Sequence, residues 1–79
     1  MGYLARRKAE RRERVLRVFM SDPERQWLVY GDLQPAAHVR TGQIYQVLGY
    51  LERAGWITSG WESPTPADRP PRRWYRLAR

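Results

Sequence analysis

At Gly55 the apolar pattern of the chain changes from a helical period to a period of two, and this switch constrains the fold more than any other feature. Before it, Ile44, Val47, Leu48 and Leu51 fall at i, i+3, i+4 and i+7 and form one apolar stripe. Thr41 stands where an N-cap is wanted and Gly55 where a helix stops, so the spacing predicts a helix over 41–54. After it, Trp56–Glu62 alternates, with Ile57 and Trp61 on one face. Arg72–Ala78 alternates again, with Tyr75 and Leu77 inward and Arg72, Trp74 and Arg76 outward. The intervening SPTPADRPP, residues 63–71, holds four of the six prolines and reads as a stiff polar loop. A helix running into a hairpin is therefore the C-terminal half of the molecule.

Upstream, residues 4–20 contain neither Gly nor Pro and are rich in strong helix formers. Leu16, Phe19 and Met20 are spaced to face a core, Val15 falls on the same helical pattern, and the half up to Arg14 is almost wholly polar. Ser21, Asp22 and Pro23 end this helix. Residues 26–29, QWLV, read as a brief strand or turn. A second helix is expected within 30–37. Pro35 is tolerated only in a first turn, which places the start near Gly31 or Asp32. The fold class is thus α+β, with three helices followed by a two-stranded hairpin, in one domain spanning 1–79. Residues 1–14 form a basic helical extension, and residues 62–73 the hairpin tip.

Seventy-nine residues allow one small core, and with no cysteine neither disulfides nor a thiolate metal site can brace it. No apolar run is long enough to span a membrane, and no apolar segment follows the basic N-terminus as a secretion signal would require. A cytoplasmic protein associated with the nucleoid is expected. Catalysis has no support: there is no Gly-rich phosphate loop, and His38, the one histidine, has no Ser or Cys nucleophile beside it in sequence. A single His without Cys also argues against a metal, and no cofactor is expected. Trp27, Trp56 and Trp61 are expected in the core, as so small a domain needs large apolar groups, and Trp74 is placed there too although it alternates outward.

The net charge is +7, and fourteen of the fifteen cations are arginine. They cluster: residues 1–20 carry a net +5, residues 69–79 another +5, and the middle a net −3. Two basic ends fit a polyanion held at more than one point, while composition by itself fits equally an arginine-rich solvated surface. The helix at 41–54 adds a second observation. Opposite its apolar stripe it carries Gln43, Gln46 and Tyr50, uncharged hydrogen-bonding groups where a plain surface helix would carry Glu and Lys. Two helices joined by a tight turn, the second presenting such a face, make a helix-turn-helix, and a following hairpin makes it winged. Gln can bond adenine and Arg guanine in the major groove. Double-stranded DNA is the expected partner. A protein-docking module and an RNA-binding module are the alternatives, the latter separable by competition between duplex RNA and duplex DNA.

YGDLQPAAHVRTGQIYQVLGYLERAGWITSGWES followed by RPPRRWYRLA resembles the winged-helix domain of PadR-type transcriptional regulators. The resemblance covers roughly residues 13–78. It rests on Tyr30-Gly31, on Thr41-Gly42-Gln43-Ile44-Tyr45, on Leu51-Glu52-Arg53-Ala54-Gly55-Trp56 and on Trp61-Glu62. The returning strand Arg72-Arg73-Trp74-Tyr75-Arg76-Leu77 completes it. It implies that Arg40, Thr41, Gln43, Tyr45 and Gln46 lie in the DNA groove or on its flanking phosphates, and that Arg69, Arg72 and Arg73 act at the wing. Tyr50 joins them from the polar helix face, and Arg6 and Arg7 from the basic extension. Such regulators usually continue into C-terminal helices that dimerise and form an effector pocket. This sequence ends at Arg79, just after the wing, so a minimal form without small-molecule effector is expected, and a homodimer would have to pair through the first helix.

Overall fold

The computed structural model describes residues 2–78. In order, the elements are α1 (Tyr3–Ser21), β1 (Trp27–Leu28), a π-helical turn (Val29–Leu33) running into α2 (Gln34–Ala37), α3 (Thr41–Arg53), β2 (Ile57–Trp61) and β3 (Arg73–Leu77). The fold is a winged helix-turn-helix of α+β class, with one addition to the expected hairpin. β1 pairs antiparallel with β3, Trp27 opposite Tyr75 and Leu28 opposite Trp74, so the sheet has three strands in the order β1-β3-β2. The QWLV segment is therefore a strand, kept to two residues because the chain turns helical at Val29.

α1 is one unbroken helix. Val15 and Phe19 are its buried residues, with Val18 packed against the core beside them. This corrects the expected Leu16–Phe19–Met20 face: Leu16 is half-buried and Met20 is 59% exposed. Either choice satisfies helical spacing, and the neighbouring elements cover the Val15–Val18 side.

The second helix starts two residues before its expected place. Gln34 donates its N–H to the Val29 carbonyl, an i→i+5 bond, and Pro35 follows at once. A proline ring crowds the carbonyl four residues back and has no N–H to give. A widened turn moves that carbonyl from beneath the ring, so helical structure extends back to Val29. Asp32 accepts the Leu28 N–H at 3.0 Å, tying the turn to β1. α2 ends at His38, whose φ of 55° is left-handed. The histidine is an exposed turn residue there.

Thr41 does not cap α3. Arg40 occupies the cap position, its carbonyl accepting the N–H groups of Gln43 and Ile44. The Thr41 hydroxyl instead accepts the Gln34 side-chain amide at 2.8 Å, joining the two helices of the motif. At the other end Gly55 has φ 83°, and Trp56 and Gly55 donate to the carbonyls of Leu51 and Glu52. That paired closure of the last turn needs a residue at ease with positive φ.

One apolar cluster joins Val15 and Phe19 of α1, Trp27, Val29, Leu33, Ala37, Val39, the α3 stripe Ile44, Val47, Leu48 and Leu51, and Ile57 and Tyr75 of the sheet. Trp27 is buried as expected. Trp56 and Trp61 are not: they are 54% and 59% exposed. Trp56 projects from the end of α3 just beyond Gly55. Trp61 shares the parity of Ile57 but lies at the far end of β2, where it pairs with Arg73. Trp74 is half-buried on the outer face of the sheet, lying across Gly60.

Candidate nucleic-acid interface

α3 sits between two cationic walls. Its buried stripe faces the core, so helical spacing turns Gly42, Gln46, Gly49 and Arg53 outward. Nothing lies within 4 Å of where a Cβ on Gly42 would stand, and the Arg53 guanidinium lies over Gly49. Gln43 and Tyr50 lie on one flank of this outer line and Tyr45 on the other.

On the first flank runs the N-terminal half of α1. Lys8, Arg11 and Arg12 join Gln43, Gln46, Val47, Tyr50 and Arg53 around a groove of about 190 Å³. The Arg12 guanidinium lies 3.6 Å from the centre of the Tyr50 ring. Tyr50, expected as a DNA contact, is thus the surface on which Arg12 rests. Arg6 and Arg7 precede this groove. Arg7 is bonded to the Tyr3 hydroxyl at 2.9 Å, and spacing puts Arg6 on the side of α1 that carries Glu10, Glu13 and Arg17. Lys8, Arg11, Arg12 and Arg53 are absent from the sequence-derived set. A signal was present: Lys8, Arg12, Val15 and Phe19 follow one helical face, so the cations continue the line of the core residues.

On the second flank stands the wing. A cleft of about 540 Å³ is lined by Leu28, Val29, Tyr30, Gly31, Tyr45, Arg72 and Arg73. Tyr30 and Tyr45 meet edge to face there, with centroids 6.0 Å apart. Desolvation, then a hydrogen bond shared with Tyr30, push the Tyr45 hydroxyl up to about 12, so it is a neutral group at every physiological pH.

The three wing arginines differ. Arg69 grips Glu62 through its two terminal guanidinium nitrogens, at 2.6 and 3.0 Å, and the Arg72 N–H adds a 2.7 Å bond to the same carboxylate. Arg73 bonds the Ser59 hydroxyl at 2.8 and 3.2 Å and lies 3.8 Å from Glu52 of α3. Arg72 alone of the three has a guanidinium in no hydrogen bond or ion pair among the described residues. Arg69 and Arg73 thus shape the wing, and Arg72 is its available cation. Arg40 and Thr41 are exposed at the start of α3.

The Glu62 brace carries a pH dependence. The Arg69 guanidinium first, then the Arg72 backbone N–H, hold this carboxyl at about 2, against an ordinary 4.5. A depressed folded value means that the stabilisation is fully present above about 4.5 and is lost as pH falls towards 2. A carbon-detected NMR titration should find the Glu62 carboxyl titrating near 2 in the wild type and moved back towards its ordinary value in Arg69→Gln, where the Arg72 N–H still holds it. An ordinary midpoint in the wild type would mean the brace is not formed in solution.

Among the described residues no helix is long and apolar enough to cross a membrane. No characterised protein matches the sequence. The profile of the PadR-like transcriptional regulator family matches residues 31–79. That span runs from the second helix through α3 and the whole hairpin, the parts that carry the polar helix face and the wing, and α1 precedes it. With the winged fold and this match together, the chain belongs to the PadR-like family of transcriptional regulators.

Proposed function

We propose that this regulator acts as one DNA-binding unit over residues 1–79, with α3 in the major groove of duplex DNA and the wing, residues 62–73, against the adjacent backbone or minor groove. The observation that carries the proposal is the hydrogen-bonding outer face of α3, with Gln43 and Gln46 ahead of Arg53, set between cationic flanks. An α-helix fills the major groove, where Gln46 and Gln43 have the donor and acceptor pair that adenine requires. Arg40 and Thr41 stand at the helix start for flanking phosphates, and Tyr45 offers a neutral hydroxyl on the wing side. Arg72 is the wing contact, with Arg69 and Arg73 adding positive field from their braced positions. Arg6 and Arg7 extend that field along α1. Pairing two copies through α1 would set like charges against each other over residues 6–14, so charge favours recognition by one copy. The site of action is the nucleoid in the cytoplasm.

The test is anisotropy titration of labelled duplexes, one of random sequence and one from the protein's own upstream region, across salt. A slope of log K on log salt of roughly −4 to −6 is expected for about five or six phosphate contacts. Gln43→Ala with Gln46→Ala should cost about 1–3 kcal/mol of discrimination per lost base contact, and less of the random-sequence affinity. Arg72→Ala should weaken all duplexes alike and reduce the slope by about 1. Arg73 is left in place because its removal would also loosen β3 from α3. No binding to either duplex at low salt would overturn the proposal, and equal loss of discrimination from both variants would overturn the division of roles.

A further inference from the structure

A helix about 10–12 Å across, seated in a groove about 12 Å wide, meets a phosphodiester backbone on each side. The wing accounts for one side of α3 only. Tyr45 and Glu52 mark that side, through the cleft shared with Arg72 and Arg73 and the Arg73–Glu52 contact. The other side, marked by Gln43 and Tyr50, is walled by α1.

We propose that the groove between α1 and α3 is a phosphodiester site, in which Lys8, Arg11, Arg12 and Arg53 hold the DNA strand that flanks α3 on the side away from the wing. The proposal rests on duplex reading by α3 and adds to it a second backbone contact, made by an element outside the span matched by the family profile.

Four observations carry it. First, four cations from two helices converge on one groove whose lining contains no acid. Like charges gathered without a counter-charge raise each other's energy, and an anion between them relieves it. Second, the acids of α1 do not reach the groove: Glu13 pairs with Arg17, and spacing sets Glu10 beside Glu13 and away from Lys8 and Arg12. Third, Gln43 and Gln46 line the same groove, so a strand held there runs along the edge of the bases that those side chains read. Fourth, Arg12 is placed in advance. Its guanidinium on the Tyr50 ring gives up part of its rotamer freedom before any ligand arrives, and its N–H groups remain in the groove. Tyr50 is on this account a positioning residue, acting through Arg12.

Two arginine pairs on α1 make the test. Arg11→Gln with Arg12→Gln removes two charges from the groove. Arg14→Gln with Arg17→Gln removes two charges from α1 outside the groove, where they lie along Val18, Trp27 and Ala37. Each is titrated with a labelled random-sequence duplex of about 20 base pairs over about 50–200 mM salt. The groove pair should flatten the log–log slope by about 1 to 2 and weaken binding about tenfold at physiological salt, while the control pair shifts the slope by less than about 0.5. Tyr50→Phe keeps the ring and should keep the slope, whereas Tyr50→Ala should flatten it in part. Equal effects from the two arginine pairs, or an unchanged slope in the groove pair, would overturn the site and leave duplex reading by α3 intact. A loss in Tyr50→Phe equal to that in Tyr50→Ala would overturn the positioning role and make the hydroxyl itself the contact. Failure of the wild type to bind any duplex would instead overturn the reading on which the site rests.

Discussion

Replacing Phe19 with alanine is expected to be strongly destabilising. Phe19 is fully buried and, with Val15, joins α1 to the rest of the core. Truncating a buried phenylalanine costs about 3–5 kcal/mol, the transfer energy of the ring plus the cavity it leaves. A chain of 79 residues has a total stability of only about 4–12 kcal/mol at the usual 0.05–0.15 kcal/mol per residue. The single substitution therefore removes a quarter or more of what holds the fold. At about 4–8 °C per kcal/mol for a domain of this size, the melting temperature by circular dichroism should fall by at least about 12 °C. Phe19→Leu, which keeps most of the volume, should fall much less. A loss under about 1 kcal/mol for the alanine variant would show that α1 is an appendage to a core complete without it. The consequence reaches function, because Val15 and Phe19 are what set Lys8, Arg11 and Arg12 beside α3.

The second large effect is expected at Gly60. An alanine Cβ there would stand 2.4, 2.8 and 3.0 Å from three ring atoms of Trp74, distances that carbon atoms do not sustain. The indole must move, and it is not loose. Trp74 pairs with Gly60 across the β2–β3 ladder, donates its Nε1–H to the Trp61 carbonyl at 3.2 Å, and carries the Arg76 guanidinium 5.5 Å from its ring. Alanine stiffens the unfolded chain relative to glycine and returns about 0.4–1 kcal/mol. Forced displacement of a packed side chain costs about 1–3 kcal/mol, so the clash outweighs the entropic gain and net destabilisation is expected. Gly60→Ala in a Trp74→Leu background should cost little or nothing further, since the occupying ring is gone. If Gly60→Ala is as damaging without the indole as with it, the glycine is needed for some backbone reason and not to seat Trp74.

Phe19 was expected in the core from helical spacing alone, whereas Gly60 marks where reading the sequence stops. The α3 helix, its apolar stripe and its end at Gly55 follow from spacings within fifteen consecutive residues, and so does the change to strand alternation after it. Such patterns decide which backbone hydrogen bonds leave the apolar side chains on one face, and no distant partner is needed to see them. The polar face of α3 was legible for the same reason, as the complement of the stripe. Gly60 gave no such sign, because the residue that requires it lies fourteen positions away in sequence and opposite it in the sheet.

The same holds for what tertiary structure decided. Phe19 belongs to the core face on either reading of α1, but Val15 and Leu16 fit its spacing equally, and only the packing of neighbouring elements chose Val15 over Leu16 and left Met20 outside. Trp27, Trp56 and Trp61 are equally apolar. Trp27 is buried because β1 brings it against β3, while Trp56 and Trp61 stand exposed at element ends. The wing arginines look alike in RPPRR, yet Glu62 holds Arg69, Ser59 and Glu52 hold Arg73, and Arg72 is left to the solvent side. What the sequence by itself determined is the set of elements and the polarity of each face, since those depend on neighbours a few bonds away. What only the tertiary structure decided is which faces meet, and therefore which of fourteen arginines line the groove beside α3. That choice is made by contacts between residues far apart in the chain, and no local periodicity records it.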